Sequence, residues 1–354
     1  ILWTGVVGFC SLLPNVFSSL FGAQVIDRFG RSKVMFGCEV TQLILIGAIT
    51  ALISAGKAEP WLVGGLIFAS SVFDAPGQLA RTALSPTFSR YADVPLSKTS
   101  GIIEAFDGVM SVAGPLLCGA VIAYMGLLSA WVLCTAFCMV IVTLCLLVFT
   151  NRKPRVLRPS VGFKEALGNV WKDEILKETI LFTLPTYLLG QAWELVLLPS
   201  YIYEKGFDSV YFGMLGGAFG LGAFGGALFF ASAAKRFTFF TLLSVNYAGY
   251  LLSVVVLLFN LPKEVVLGAT VLCGIPFGAF GAMVISIILL RTPEAMRSKT
   301  LGLFATASYT VESLCVLAMA ACIHWAGLYI TLCAVAVIFA ILILVSLLGR
   351  KRND

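Results

Sequence analysis

The feature that most restricts the fold of this chain is a series of apolar stretches, each about 20 residues long, separated by short polar breaks. A helix of about 20 residues crosses the hydrocarbon core of a bilayer. Strands of a membrane barrel are shorter, about 10 residues, and alternate in polarity. Only 12% of the residues are charged, about half the share in soluble domains. The sequence therefore predicts an all-α polytopic membrane protein. Its eleven predicted spans are 1–24, 34–55, 61–83, 100–124, 127–150, 178–203, 209–233, 238–260, 264–290, 299–324 and 326–348.

The basic residues indicate how these spans are oriented. Of the 24 Lys and Arg, 21 lie in every second break or at the C-terminus. Because cytoplasmic loops carry the excess of Lys and Arg, we expect these breaks and the C-terminus in the cytoplasm. The net charge of +6 then reflects topology and does not indicate a nucleic-acid partner. Eleven crossings counted back from the C-terminus place residue 1 outside, and we expect one more helix before it.

The longest polar segment divides the spans into two groups, with five spans before it and six after it. With one helix restored, this is the 6+6 arrangement of transporters built from two similar halves around a midplane site. We predict an N-terminal half at 1–150 (helices 2–6), a cytoplasmic linker at 151–177 and a C-terminal half at 178–354 (helices 7–12). Apolar residues at helical spacing in 163–171 predict an amphipathic helix along the membrane surface.

The break after the first span reads AQVIDRFGRSK, residues 23–33. It resembles the loop between helices 2 and 3 of the major facilitator superfamily, whose pattern is Gly-x-x-x-Asp-Arg-x-Gly-Arg-Arg. The matching residues are Asp27, Arg28, Gly30 and Arg31, and the departures are Ala23 and Ser32. Glycine permits a tight reversal between two helices. The resemblance implies the major facilitator fold and a cytoplasmic gate that latches the two halves together in the outward-open state.

A second resemblance concerns residues 101–120, GIIEAFDGVMSVAGPLLCGA. The family's antiporters carry in helix 5 the pattern Gly-x8-Gly-x3-Gly-Pro-x2-Gly-Gly. The matching residues are Gly101, Gly114, Pro115 and Gly119, and the departures are Met110 and Cys118. This resemblance implies export, although an ordinary helix contact through small residues has a similar pattern. The region from about residue 20 to residue 125 further resembles the branch of enterobactin exporters and macrolide-efflux proteins.

Acids inside the predicted spans are candidate functional groups, because each costs about 2.5–3.5 kcal/mol at a helix centre. Asp74, Gln78 and Arg81 form a stripe at i, i+4 and i+7. We expect Asp74 and Gln78 at the substrate or proton site; the alternative is a structural ion pair of Asp74 with Arg81 or with an Arg of another helix. Glu104 and Asp107 lie closer to the cytoplasm, and we expect them in the gate with Arg31 or Arg81.

Two further stripes lie in the C-terminal half. Tyr187, Gln191 and Glu194 share one span, and Tyr309 and Glu312 share another. The span of Glu312 has no basic residue at that depth, so we expect a carboxyl group that alternates between protonated and ionised forms. Such a group couples transport to protons or binds a cation. A hydrogen-bonded structural carboxyl, or a hydrated one, is the alternative.

No cofactor or metal is predicted. The ten cysteines lie almost wholly inside apolar stretches, and the single His324 lies at the end of a span. The sequence contains no Gly-x4-Gly-Lys-Ser/Thr loop, which excludes nucleotide hydrolysis by that route. No pairing of a nucleophile with a base is visible either, so we do not expect an enzyme.

These observations favour a proton-coupled exporter of an amphipathic small molecule, drug-like or siderophore-like, that works by alternating access. The expected partners are this substrate, protons and membrane lipid, without nucleic acid, and the protein is expected to be a monomer in a bacterial inner membrane. Two alternatives stay open: a flippase for lysophospholipids or other lipids with the same fold, and a receptor or scaffold that transports nothing.

Overall fold

The structure is a computed structural model that describes residues 2–91, 93, 96–149, 163–233, 238–293 and 296–353. Every regular element in these ranges is helical. The helices are α1 (Leu2–Phe29), α2 (Arg31–Ser54), α3 (Pro60–Tyr91), α4 (Leu96–Met125), α5 (Leu127–Phe149), α6 (Phe163–Lys172), α7 (Glu174–Ala192), α8 (Leu198–Lys205), α9 (Ser209–Ala233), α10 (Phe239–Leu258), α11 (Lys263–Arg291), α12 (Arg297–Ala326) and α13 (Leu328–Asn353). A π-helical turn, Trp193–Leu197, joins α7 to α8.

Each predicted apolar span coincides with a helix or, for 178–203, with the α7–α8 pair. Nine helical segments of the described chain are long and apolar enough to cross a membrane. The predicted all-α membrane fold is therefore confirmed, whereas the count of eleven spans stays a prediction. Several helices are longer than their predicted spans, because polar residues outside the hydrocarbon can continue a helix. The α7 helix, for example, begins at Glu174, where the Asp173 side chain accepts a hydrogen bond from the Leu176 amide at 3.0 Å.

The predicted amphipathic stretch of the linker forms α6. Ala166 and Val170 are buried on one side of this helix, while Leu167 and Trp171 are exposed. Lys177 lies over the Trp171 ring, with 5.9 Å between its ammonium nitrogen and the ring centroid. Residues 151–162 of the linker lie outside the described residues.

The helices contact each other in two groups. Helices α2 and α3 pack on each other, and α1 and α5 pack on them, whereas α7 and α9–α13 pack around a separate and larger hydrophobic core. Two seams connect the groups, one between α1 and α12 and the other between α4 and α9. These contacts agree with a division into two halves at the polar segment, which stays a prediction.

Glycines allow the backbones to approach closely in both seams. A β-carbon added at Gly119 of α4 would lie only 3.0 Å from the Cα of Gly213 in α9. The Ser209 hydroxyl also donates a hydrogen bond to the Gly119 carbonyl, at 3.2 Å. In the other seam, a β-carbon at Gly8 of α1 would lie 2.9 Å from Val316 of α12. Both places are toward the helix ends that are predicted to be extracellular.

The glycine-rich α9 packs closely against two helices, α4 and α11. Four of its glycines face α4 and two face α11 of the same half, whereas a β-carbon at Gly225 would meet no atom within 4 Å. The α4-facing glycines are Gly213, Gly216, Gly217 and Gly220, and the α11-facing ones are Gly222 and Gly226.

Candidate functional site

A cavity of about 450 Å³ lies among the helices of the C-terminal half. Its volume is in the range of sites for drug-sized molecules. The lining residues come from α7, the π turn and α9–α12. They are Thr186, Tyr187, Gly190, Gln191, Trp193, Glu194, Phe219, Tyr250, Phe277, Ile285, Leu301, Phe304, Ala305, Ser308, Tyr309 and Glu312.

Aromatic rings form much of the cavity wall and hold one another in place. The ring centroids of Tyr187 and Phe304 are 5.7 Å apart, and those of Phe219 and Phe277 are 5.2 Å apart. Trp193 joins this cluster at 6.0 Å from Phe219. Aromatic faces bind apolar bodies and attract cations, so the wall suits a molecule that has both properties.

Three polar side chains of the lining have a buried atom without a hydrogen-bond partner among the described residues. These atoms are Oε2 of Glu312, Oγ of Ser308 and Nε1 of Trp193. Glu312 is only 2% exposed, and none of the ion pairs in the described chain involves it. A buried polar group without a partner is costly, and such groups are few in native proteins. Three of them around one cavity indicate a place where a ligand, water or proton supplies the missing interaction.

The π turn contributes Glu194, the second carboxyl group of the cavity lining. Trp193 and Glu194 are consecutive residues, and both line the cavity. The next residue, Leu195, faces the seam: a β-carbon added at Gly8 of α1 would lie 3.8 Å from its side chain. Short π turns inside helices occur frequently at functional sites. This turn therefore connects the cavity wall directly to a contact between the halves.

The cavity lining includes residues along much of the first half of α12. Its lining on this helix runs from Leu301 to Glu312, which is about 17 Å at 1.5 Å per residue. Leu301 lies one turn after the start of α12 at Arg297, whereas Glu312 lies at the middle of the helix. The cavity thus extends from the middle of the bundle toward the predicted cytoplasmic end.

The structure brings five of the seven residues predicted for this site to one cavity. They are Tyr187, Gln191, Glu194, Tyr309 and Glu312. Asp74 and Gln78 are not among the residues that line it. The side chain of Asp74 is about half exposed and forms none of the cavity wall.

Asp74 belongs instead to a polar cluster in the N-terminal half. Arg81 of α3 pairs with Glu39 of α2 at 2.9 Å and lies 3.9 Å from the carboxylate of Asp74. The Gln42 amide also donates a hydrogen bond to Asp74 at 3.3 Å. Glu39 is 5% exposed, and sequence reasoning did not single it out. The sequence does contain a signal for Glu39, because an acidic residue inside the apolar span 34–55 is costly without a partner.

The gate motif is only partly described. The α1 helix continues to Phe29 and α2 starts at Arg31, so the reversal is confined to Gly30, whose φ is 87°. That angle favours glycine. The Arg28 guanidinium lies 5.5 Å from the centroid of the Phe29 ring. The side chains of four other predicted gate residues, Asp27, Arg31, Glu104 and Asp107, lie outside the described part of the structure.

The residues of the second motif differ in their surroundings. Pro115 and Gly119 lie in the α4–α9 seam, against Gly213. A β-carbon at Gly114 would meet no atom within 4 Å. The surroundings of Gly101 lie outside the described part of α4. Gly108, which does not fit the pattern, packs against Phe224 of α9.

Comparisons with known proteins agree with this architecture. The family model of the Major Facilitator Superfamily matches residues 3–314. The chain is 25% identical over 340 residues to the multidrug efflux pump Tap of Mycobacterium tuberculosis, which covers 94% of this chain and 81% of that protein. It is 24% identical over 362 residues to Tap of Mycolicibacterium fortuitum, with coverage of 98% and 87%. The crystal structure of the nucleoside transporter NupG has a similar fold, with a TM-score of 0.77 at 12% identity, covering 99% of this chain and 90% of that one.

Proposed function

Because this chain belongs to the major facilitator superfamily, we propose that it is a proton-coupled exporter of an amphipathic small molecule. The predicted family and fold are confirmed, and the chain is an integral membrane transporter and not an enzyme. Export is supported by relatives named multidrug efflux pumps that match nearly the whole chain. The distribution of basic residues supports a cytoplasmic C-terminus, and the relatives support a bacterial inner membrane.

The observation that carries this proposal is Glu312 in an aromatic cavity. Its carboxyl group is buried, one of its oxygens has no hydrogen-bond partner among the described residues, and no described cation pairs with it. A carboxylate in such a place needs a proton or a bound cation. The surrounding rings accept the apolar part of a substrate, and Glu312 accepts either a proton or the polar part.

Competition between the proton and the substrate for Glu312 couples substrate export to proton entry. When the proton and the substrate exclude each other at one site, each lowers the affinity of the protein for the other by the same factor. A proton that enters from outside displaces the substrate there and leaves on the cytoplasmic side. Asp74 is a second coupling candidate, because it is an acid inside an apolar span. Glu194 is exposed and lines the cavity, and its assigned role is to influence which substrates the protein accepts.

The arrangement of the two halves supports loading from the cytoplasm. The seams are tightly packed toward the predicted outer end, and the cavity extends toward the opposite end. Alternating access requires this packing to open on the outer side while the cytoplasmic gate closes. In this cycle the gate motif around Gly30 shifts the equilibrium between the states without contacting the substrate.

The function is tested by proton flux in liposomes that contain the purified chain and a pH-sensitive dye. A panel of one aromatic amine, one macrolide, one siderophore and one lysophospholipid is added under a pH gradient. At least one of the first three compounds should cause proton movement that protein-free liposomes lack. Proton-independent movement of the lysophospholipid alone would contradict the exporter and favour a flippase. No ligand-dependent movement of any compound or proton would favour a protein that does not transport.

A further inference from the structure

We propose that Trp193 selects substrates that carry a hydrogen-bond acceptor, by donating its indole N–H to that acceptor. This inference rests on the proposed function, because it takes the cavity to be the substrate site. It concerns which molecules the cavity prefers, whereas the proposed function concerns whether transport is coupled to protons.

The indole of Trp193 is a buried hydrogen-bond donor in the cavity lining. Trp193 is 3% exposed, and its Nε1 atom has no hydrogen-bond partner among the described residues. Buried tryptophans usually find a partner for this group. An indole N–H that is withdrawn from water and left without an acceptor therefore requires an explanation, and a substrate acceptor in the adjoining cavity supplies one.

Packing alone does not require an indole at Trp193. The Trp193 ring lies 6.0 Å from the Phe219 ring and 6.4 Å from the Tyr250 ring, between centroids. A phenylalanine provides similar aromatic contacts. What the indole adds is larger apolar area and a single donor that cannot act as an acceptor.

Two acids share the cavity lining with this donor. Glu194 follows Trp193 in the π turn, and Glu312 lies on α12. The lining contains two carboxyl groups and no Lys, Arg or His. The cavity therefore favours a molecule with a protonated amine, an acceptor such as a carbonyl oxygen, and an aromatic or other apolar body.

Two amines of similar length test this preference. The first is 2-(dimethylamino)ethyl benzoate, which carries an ester carbonyl, and the second is N,N-dimethyl-4-phenylbutylamine, which lacks it. Their dissociation constants are measured by calorimetry on the purified full chain in lipid nanodiscs. Wild-type protein should bind the ester more tightly than the alkyl amine. Trp193→Phe should weaken binding of the ester about 3- to 10-fold, the value of one hydrogen bond, and change binding of the alkyl amine less than twofold.

The matched control is Trp325→Phe, the same substitution at a residue that is 86% exposed and does not line the cavity. It should leave both constants unchanged. The ratio of the two constants within one variant is insensitive to a general loss of stability. An unchanged ratio in Trp193→Phe would overturn the donor role while leaving proton-coupled transport untouched. Failure of wild-type protein to bind either amine would overturn the proposed substrate class, and the liposome flux assay would then decide separately whether the chain transports.

Discussion

Two glycines of one motif should respond differently to the same substitution. Gly114 and Gly119 both match the antiporter pattern in α4, but only Gly119 lies in the seam with α9. A β-carbon at Gly119 would lie 2.5 Å from the Ser209 carbonyl oxygen and 3.0 Å from the Gly213 Cα. We predict that Gly119→Ala disfavours the packed outer seam and that Gly114→Ala does not.

The size of the effect follows from the overlap. Carbon atoms pack best at about 3.5–4.0 Å, so α4 and α9 must separate by roughly 1 Å to accept the new methyl group. Overpacking of this kind costs about 1–3 kcal/mol. A state in which this end of the seam is open does not bear that cost. The equilibrium should therefore move toward the outward-open state by a factor of about 5 to 150. Alanine at Gly114 adds only the small gain in helix stability, about 0.5–1 kcal/mol, in either state.

Pulsed electron paramagnetic resonance can measure this shift. Spin labels are attached to unnatural residues that replace Tyr124 at the end of α4 and Tyr203 in α8, which are 84% and 80% exposed. Gly119→Ala should increase the population with longer label distances and reduce maximal transport, while Gly114→Ala should match the parent protein. Identical distance distributions in the two variants would refute the steric explanation. The sequence motif by itself predicts the same role for both glycines, and only their packing differs.

Three further predictions concern the N-terminal half. Asp27→Asn should lower transport severalfold with unchanged substrate affinity, because the gate shifts states without touching the ligand; a pure loss of affinity would contradict this role. A cysteine label at Ser32 should react only from the cytoplasm and one at Ala58 only from outside, and labelling of both from one side would overturn the topology. Glu39→Gln should lower stability by about 1–3 kcal/mol in thermal unfolding, less than for a fully buried pair because Arg81 is half exposed; an unchanged unfolding midpoint would show that the pair contributes little.

The sequence was sufficient to predict which segments are helical and which polar residues on one helix share a face. Tyr187, Gln191 and Glu194 follow helical spacing, and the structure places all three in the cavity lining. It did not predict which aromatic residues complete the wall. Phe219 and Phe277, for example, lie in spans that are apolar on all sides, with phenylalanine spread along the whole chain. Only the packing of neighbouring helices distinguishes a ring that lines the cavity from one that faces lipid.

Partner choice between helices was also beyond the sequence. The spacing of Asp74 and Arg81 on one helix indicated a pair, whereas the shortest contact of Arg81 is with Glu39 on α2. Contacts between helices depend on their relative rotation and register, which helical periodicity within one segment does not specify. The same holds for Gly114 and Gly119, which differ only in what lies opposite them.

The isosteric variant Glu312→Gln tests whether a buried carboxyl group in the cavity couples export to protons. Substrate transport by this variant in liposomes is measured twice, once against a concentration gradient with a pH gradient as the driving force, and once as downhill exchange without a pH gradient. Wild-type protein should perform both. Glu312→Gln should lose uphill export and keep downhill exchange, because glutamine binds no proton in this pH range but retains the shape of the site. Uphill export with unchanged pH dependence would contradict the assignment of Glu312, and the same result in Asp74→Asn would exclude both acids as the coupling group.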